Sequence, residues 1–257
     1  MRAFFSTLIL VIAIGGTTPN RGAAADDIIV LAAASLATAL DEIVEYINSQ
    51  TGMETNILVS YGGTGGLSRQ IENGLPGHIF ISASRPWIAR LVSKGLLDAT
   101  SVRDILTNRL ALVANNGFAS DLKIYPGFPI AEALGNGRLA IGETTSVPAG
   151  IYAKQALQSL GVWESVKDKL APAKDVRAAL MLVQRQETEL GIVYKTDAAV
   201  GTNIYVVDTF DPTLHEPIYY TAAMLTHADA AIAQPFYDHL TGQIALGIFK
   251  RHGFRGQ

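Results

Sequence analysis

An α/β fold with mainly parallel sheets is what this sequence predicts, and three observations carry the prediction. Short, continuously apolar runs alternate with segments of helical periodicity from residue 28 onward. The connections between them are brief, and no internal repeat or low-complexity linker interrupts them. Strand–helix alternation of this kind is the pattern of sheets covered by helices on their faces. At 257 residues, 49% of them hydrophobic, the chain suits one large domain or two modest lobes, and either can bury a proper core.

The first residues read as an export signal and stand apart from the fold. Arg2 supplies a short positive region, "FFSTLILVIAIGG" an apolar core, and Ala23 and Ala25 the small-x-small pattern of a cleavage site. Residues 1–25 are therefore expected to be removed, leaving Asp26 as the new N-terminus and the periplasm as the destination. The apolar core is shorter than a membrane span requires.

In the mature chain "IIVLAAA" (28–34) predicts a strand covered on both faces, because it is apolar without alternation. Leu36, Leu40, Ile43 and Ile47 then recur at the spacing of one helix face. "NILVSY" predicts a second strand, "LSRQIENG" a short helix closed by Gly74, and "HIFISA" a third strand. "RPWIARLVSKGLL" predicts a helix with Pro86 near its start, where a missing N–H costs nothing. Further strands are expected at "RLALVAN", "RLAIGE", "LGIVY", "IYVVDTF" and "IYYTAAML", with helices from Pro148 and from about Asp175. A last helix is expected through "FYDHLTGQIALGIFKRHGF". Pro235 calls for a later start or a kink there, since an interior proline removes a helical bond.

Several function classes are disfavoured by composition. A formal charge of −3 with no lysine or arginine stripe argues against a nucleic-acid partner. The lack of cysteine removes disulfides, thiolate chemistry and cysteine-ligated zinc. Neither G-x-S-x-G nor H-E-x-x-H occurs, and His78, His215, His227, His239 and His252 are scattered. The adjacent Asp41 and Glu42 sit on a predicted helix, where neighbours point to different parts of the surface. A binding protein with no catalytic residue is the expectation.

Chemistry concentrates instead where strands hand over to helices. Ligands of open α/β sheets sit beyond the carboxyl ends of the strands, and helix N-termini there offer unpaired N–H groups to an anion. In "AAASLATAL" Ser35 ends a strand and reads as a helix cap. In "SYGGTGGLSRQI" four glycines surround Thr64, stripping the loop of side chains so that backbone can approach a ligand; the Gly-Lys-Ser/Thr ending of a P-loop is absent. In "GETTSVPAGIYAKQAL" Pro148 suits the first helical turn and leaves the amides of Ala149 and Gly150 free. In "APAKDVRAAL" Asp175 reads as a cap with the Val176 amide at the helix start, and Tyr194 ends "LGIVY" with a phenol. Arg69, Arg177 and Arg185 follow helix starts; Arg69 and Arg185 are expected to face solvent, and Arg177 is left open.

Taken in order, "AAASL", the Gly/Thr turn before "LSRQIENG", "HIFISA", "GETTSVPAGIYAKQAL", "DVRAAL", "GIVYKTDA" and "IFKRHGF" resemble the periplasmic molybdate-binding proteins of ABC importers, over nearly the whole mature chain. The resemblance implies a two-lobed type II periplasmic binding-protein fold with an oxyanion between the lobes. It divides the chain into lobe 1 (26–109 and 218–257) and lobe 2 (110–217), with crossings near 108–110 and 216–218. It implies that Ser35 donates through its hydroxyl, and by amide too, Thr64 and Tyr194 through their hydroxyls, and Ala149 and Val176 through backbone N–H groups. Thr64 stands where such proteins usually carry a serine in a serine-rich turn, a departure that bears on affinity and fine selectivity. Molybdate or tungstate is the implied ligand, with sulfate or another tetrahedral oxyanion as the alternative; the metal enters only inside the oxyanion, without direct metal ligands. The implied partner is an inner-membrane ABC permease, the protein itself acting as a monomer, and no cofactor is called for.

Overall fold

The computed structural model describes residues 27–50, 56–118 and 121–256; the export segment and its expected cleavage point lie outside the described residues. The chain opens with strand β1 (Ile28–Ala33), a short 3-10 turn (Ala34–Leu36) and helix α1 (Ala37–Gln50). Next come β2 (Ile57–Gly62), α2 (Thr64–Glu72), β3 (Ile79–Ser82), α3 (Arg85–Ser93) and β4 (Arg103–Thr107). Two residues later β5 (Leu110–Asn115) begins, followed by α4 (Ile130–Leu134), β6 (Leu139–Gly142), α5 (Pro148–Ser159) and α6 (Trp163–Val166). Then follow β7 (Leu170–Ala173), α7 (Val176–Gln184), β8 (Leu190–Tyr194), α8 (Lys195–Val200) and β9 (Ile204–Thr209). The chain closes with β10 (Tyr219–Met224), α9 (Ala230–Thr241), α10 (Gln243–Arg251) and β11 (Arg255–Gly256).

These strands form two sheets, and the fold is two-lobed. One sheet has the order β11-β4-β10-β3-β1-β2, the other β7-β6-β8-β5-β9. Parallel pairing holds where strands are linked through helices, as in β2-β1-β3 and β7-β6-β8. Antiparallel pairing enters with β10, β4 and β11 in the first sheet and with β5 and β9 in the second. The sheets are thus more evenly mixed than the expectation of mainly parallel pairing. The antiparallel members flank the two passages between sheets, where a strand enters from the other side of the molecule and not by a helical crossover.

Burial follows the sequence pattern closely. Every residue of β5 is buried, as an uninterrupted apolar strand between helical layers should be. In α1 the buried set is Ala39, Leu40, Ile43 and Ile47, the expected face, which packs on α10. Burying each large aliphatic side chain of such a face stabilises by about 1.5–3 kcal/mol before entropy is subtracted. At the other end, Phe249 and Phe254 pack edge to face at 5.7 Å and seat the C-terminal tail beside β4.

Two expectations need correction. The last helix is divided: Gly242, at φ −82 and ψ 171, is extended and separates α9 from α10. Pro235 does not delay the start either. Asp229 caps α9 by accepting the Ala231 amide at 2.9 Å, and the proline lies inside the helix. Three strands escaped the sequence reading. β4 is polar at its start, β7 carries a proline at the sheet edge, and β11 is only two residues long.

Candidate functional site

All five sequence-predicted residues line one cavity. Ser35, Thr64, Ala149, Val176 and Tyr194 share it with Ala33, Gly63, Ala83, Val147, Pro148 and Asp175, around about 210 Å³ of atom-free space. Ser35, Thr64 and Ala83 come from the first sheet's strand ends, and Ala149, Val176 and Tyr194 from the second's. The cavity therefore lies where the two lobes meet, at the carboxyl ends of their strands.

Two neutral amide donors come from helix starts. Pro148 is the first residue of α5 and Val176 the first of α7, so the amides of Ala149 and Val176 fall in first turns with no carbonyl one turn earlier to bond. Asp175 spends a carboxylate oxygen on the Ala178 amide at 2.8 Å, which fixes the start of α7. Both helix N-termini present partial positive charge to the cavity.

The side-chain hydroxyls are aimed by their neighbours. Thr64 Oγ1 accepts the Ala83 amide at 3.1 Å, so its own proton is left to donate into the cavity. Ser35 sits inside the 3-10 turn and makes no capping bond, which corrects its expected role as a cap. Its Oγ lies 2.7 Å from Tyr220 Oη instead. Asn108 Oδ1 accepts the Arg109 amide at 2.9 Å, which turns Asn108 Nδ2 toward Tyr220 Oη at 3.1 Å and Thr196 Oγ1 at 2.9 Å. Either hydroxyl can be the donor in the Ser35–Tyr220 bond; with Asn108 donating to Tyr220, the arrangement in which Tyr220 donates to Ser35 satisfies the phenol and leaves the Ser35 proton for a ligand. Burial pushes the Tyr220 phenol far above its ordinary range, so it remains protonated and able to donate.

Tyr194 supplies the most informative atom. Its side chain is 1% exposed, and its hydroxyl is buried with no hydrogen-bond partner. Burial, with Tyr220, Tyr152 and Asp197 nearby, holds this phenol well above its usual range. A buried, protonated, unpartnered hydroxyl costs about 1–3 kcal/mol unless something accepts its proton. Its ring is held edge-on to Tyr220 at 6.1 Å between centroids.

Among the described residues, no lysine or arginine lines the cavity. Arg69 and Arg185 are exposed, as expected. Arg177, left open by the sequence, turns to Asp197, donating through Nε, and reaches the Ser35 carbonyl at 3.5 Å and Thr38 Oγ1 at 3.3 Å. Asp197 is fully buried, and desolvation outweighs Arg177 in raising its carboxyl to about 6. Arg177 is thus a bridge between lobes beside the cavity, with its charge matched by Asp197. Ala83, Asn108 and Tyr220 were missed in the sequence. Ala83 ends a strand, the one signal that could have found it, whereas the other two act only through residues brought near by folding. Two of the histidines have structural contacts of their own: His78 Nδ1 accepts the Ile29 amide at 3.0 Å, and His252 pairs with Glu42 at 2.6 Å.

Two α/β lobes joined by strand crossings, with a small donor-lined cavity between them, define a ligand-binding protein of the two-lobed transport type. A family model for bacterial extracellular solute-binding proteins matches residues 28–255, and the chain belongs to that family. It is 41% identical over 228 residues to the molybdate-binding protein ModA of Escherichia coli, covering 88% of each chain. The identity to the molybdate-binding protein ModA of Haemophilus influenzae is 34% over 250 residues, covering 97% of this chain and 96% of the relative. Among solved structures, the periplasmic molybdate-binding protein of Azotobacter vinelandii matches with a TM-score of 0.76 at 22% identity, over 88% of this chain and 98% of that one. This is a family of substrate-binding transport proteins.

Proposed function

We propose that the protein captures molybdate, and tungstate with it, between its lobes and presents the anion to an ABC permease. The observation that carries this reading is the unpartnered, buried Tyr194 hydroxyl in a cavity that also holds Ser35, Thr64 and two helix starts. The relatives named for molybdate support the choice of anion. Ser35, Thr64 and Tyr194 would donate through hydroxyls and Ala149 and Val176 through amides. Hydrogen bonds to a charged acceptor are roughly twice as strong as neutral ones, so fixed dipoles can replace the anion's water without a countercharge.

A ring of donors also filters by protonation. A ligand that kept an O–H would bury it against other donors, at a cost of about 1–3 kcal/mol. Hydrogen phosphate is penalised on that ground, while sulfate, molybdate and tungstate are not. Cavity size must separate those three, and sulfate is the alternative ligand. The anion is the only small molecule this reading requires.

The lobe division at 26–109 with 218–257, and 110–217, is supported by the strand origins. Every strand of one sheet comes from β1–β4, β10 or β11, and every strand of the other from β5–β9. Export to the periplasm is supported by the extracellular family and by the sequence of residues 1–25, and a monomer is the state proposed. Isothermal titration of the chain from Asp26 with molybdate, tungstate, sulfate and phosphate tests the reading. Tight one-to-one binding of the first two, with the others silent, is expected. Sulfate binding in preference would overturn the choice of anion.

A further inference from the structure

The glycines around Thr64, expected to form a loop, instead run from the end of β2 into the first turn of α2, and two of them have a use that lies outside the set of anion ligands. Gly63 precedes α2 at φ −66 and ψ 130, a conformation open to any residue, and Gly65 is not among the residues with positive φ. Backbone freedom therefore does not explain glycine at either place. Space does. A β-carbon on Gly63 would lie 2.3 Å from the carbonyl oxygen of Lys174, and one on Gly65 would lie 2.3 Å from that of Ser146. Lys174 stands between β7 and α7 and Ser146 between β6 and α5, so both obstacles belong to the second lobe. By contrast a β-carbon on Gly66, in the same helix, would meet nothing within 4 Å.

These contacts occur with the lobes pressed together. Tyr152 Oη of α5 reaches the Ala83 carbonyl at 3.3 Å, and Arg177 of α7 reaches the Ser35 carbonyl and Thr38 from across the cleft. We propose that Gly63 and Gly65 set the depth of lobe closure, as bare points at which the first lobe's backbone seats directly on two carbonyls of the second. The proposal rests on the reading of the protein as a closing, anion-capturing receptor. It assigns residues flanking Thr64 a mechanical role separate from ligation. Since both lobes wall the cavity, closure depth also sets how tightly the donors meet the anion. A fraction of an ångström of residual opening lengthens every bond that crosses the cleft.

Gly63→Ala is the deciding variant, because its next contact is Val147, also in the second lobe. Gly65→Ala would meet Trp87 of its own lobe at 2.8 Å, and so is secondary. Gly66→Ala is the control. The chain has no cysteine, so exposed Arg69 and Arg185, one in each lobe, can be replaced by cysteine and spin-labelled to read closure as a distance. Each variant is titrated calorimetrically with sodium molybdate, tungstate and sulfate, and its melting temperature is taken without anion.

Gly63→Ala should bind at least about tenfold more weakly than wild type and stop short of the wild-type closed distance. Its anion-free melting temperature should not fall, since the clash exists only in the closed form and alanine fits the backbone. Gly66→Ala should bind and close like wild type. Wild-type-like closure and affinity in Gly63→Ala would overturn the proposal. So would an equal loss in Gly66→Ala, or a drop in the anion-free melting temperature of Gly63→Ala alone, which would assign a packing role instead. The wild-type titration tests the choice of anion separately, because the ratio of variant to wild type is read on whichever anion binds. Should none bind, the variants are compared by the closed fraction in the spin-label distances of the anion-free protein, where an equal closed fraction in Gly63→Ala overturns the proposal.

Discussion

Replacing Tyr194 with phenylalanine isolates one oxygen atom. The ring is 1% exposed and packs edge-on against Tyr220 at 6.1 Å, and phenylalanine keeps that packing. Only the hydroxyl goes, and it has no protein partner to lose. If it donates to a bound anion, the loss is one hydrogen bond to a charged group, about 1.5–3 kcal/mol. That corresponds to roughly a 10- to 150-fold rise in Kd. The protein without anion should keep its melting temperature, since the hydroxyl has no protein partner to lose. Saturating ligand stabilises a receptor by about 4.1 kcal/mol at a thousand times Kd, and about 1.4 kcal/mol of that disappears for each tenfold loss of affinity. Calorimetric titration with molybdate gives the first quantity, and thermal unfolding with and without anion gives the other two. A Kd within about twofold of wild type would show that the phenol does not touch the anion, and the reasoning from its orphaned state would fail.

Three further outcomes are expected. Thr64→Ser keeps both the bond to the Ala83 amide and the free proton and should bind within about threefold of wild type; Thr64→Val loses both, which should weaken binding more than tenfold and lower stability by about 1–3 kcal/mol in denaturant unfolding. Tyr220→Phe removes the group that orients Ser35 without touching the anion, and should cost about 1 kcal/mol of binding, near fivefold in titration. Asp197 has its carboxyl raised to about 6 by burial, so its contribution to stability is fully present below the unfolded value near 4 and is lost as pH rises through 6. Urea unfolding between pH 4 and pH 7 should therefore show a decline on the order of 2 kcal/mol that Asp197→Asn abolishes, and an unchanged pH profile in that variant would refute the assignment.

Much of the cavity's lining could be read from the chain before folding, because the candidate donors are local features of strand-to-helix turns. Pro148 announces the α5 start, Asp175 announces α7, and an apolar run ending in Tyr194 places a phenol at a strand's end. What could not be read was the aim of each hydroxyl. Ser35 looked like a cap because serine before an apolar helix face commonly is one, yet its true partner is 185 positions away in sequence. Arg177 stayed ambiguous for the same reason, since its direction depends on Asp197 and on the opposite lobe. The strands that were missed are those whose pairing, and not their composition, makes them strands. β4 is recognised by β10 on one side and β11 on the other.

That placement of β11 bears on the order in which the molecule is built. The second sheet is complete once residue 209 has been made, since all its strands come from one continuous stretch. The first sheet cannot be finished then. β10 sits between β3 and β4, and the strand at one edge is formed by Arg255 and Gly256, made well after β9. Pairing of high sequence separation is slow, and domains tend to form as units as the chain emerges. The inserted half therefore matures while the surrounding half still has unpaired strand edges around β3 and β4. Refolding should show two phases, the slower one requiring the final residues, and a chain truncated before Arg255 should form the inserted lobe while leaving the first sheet unsealed.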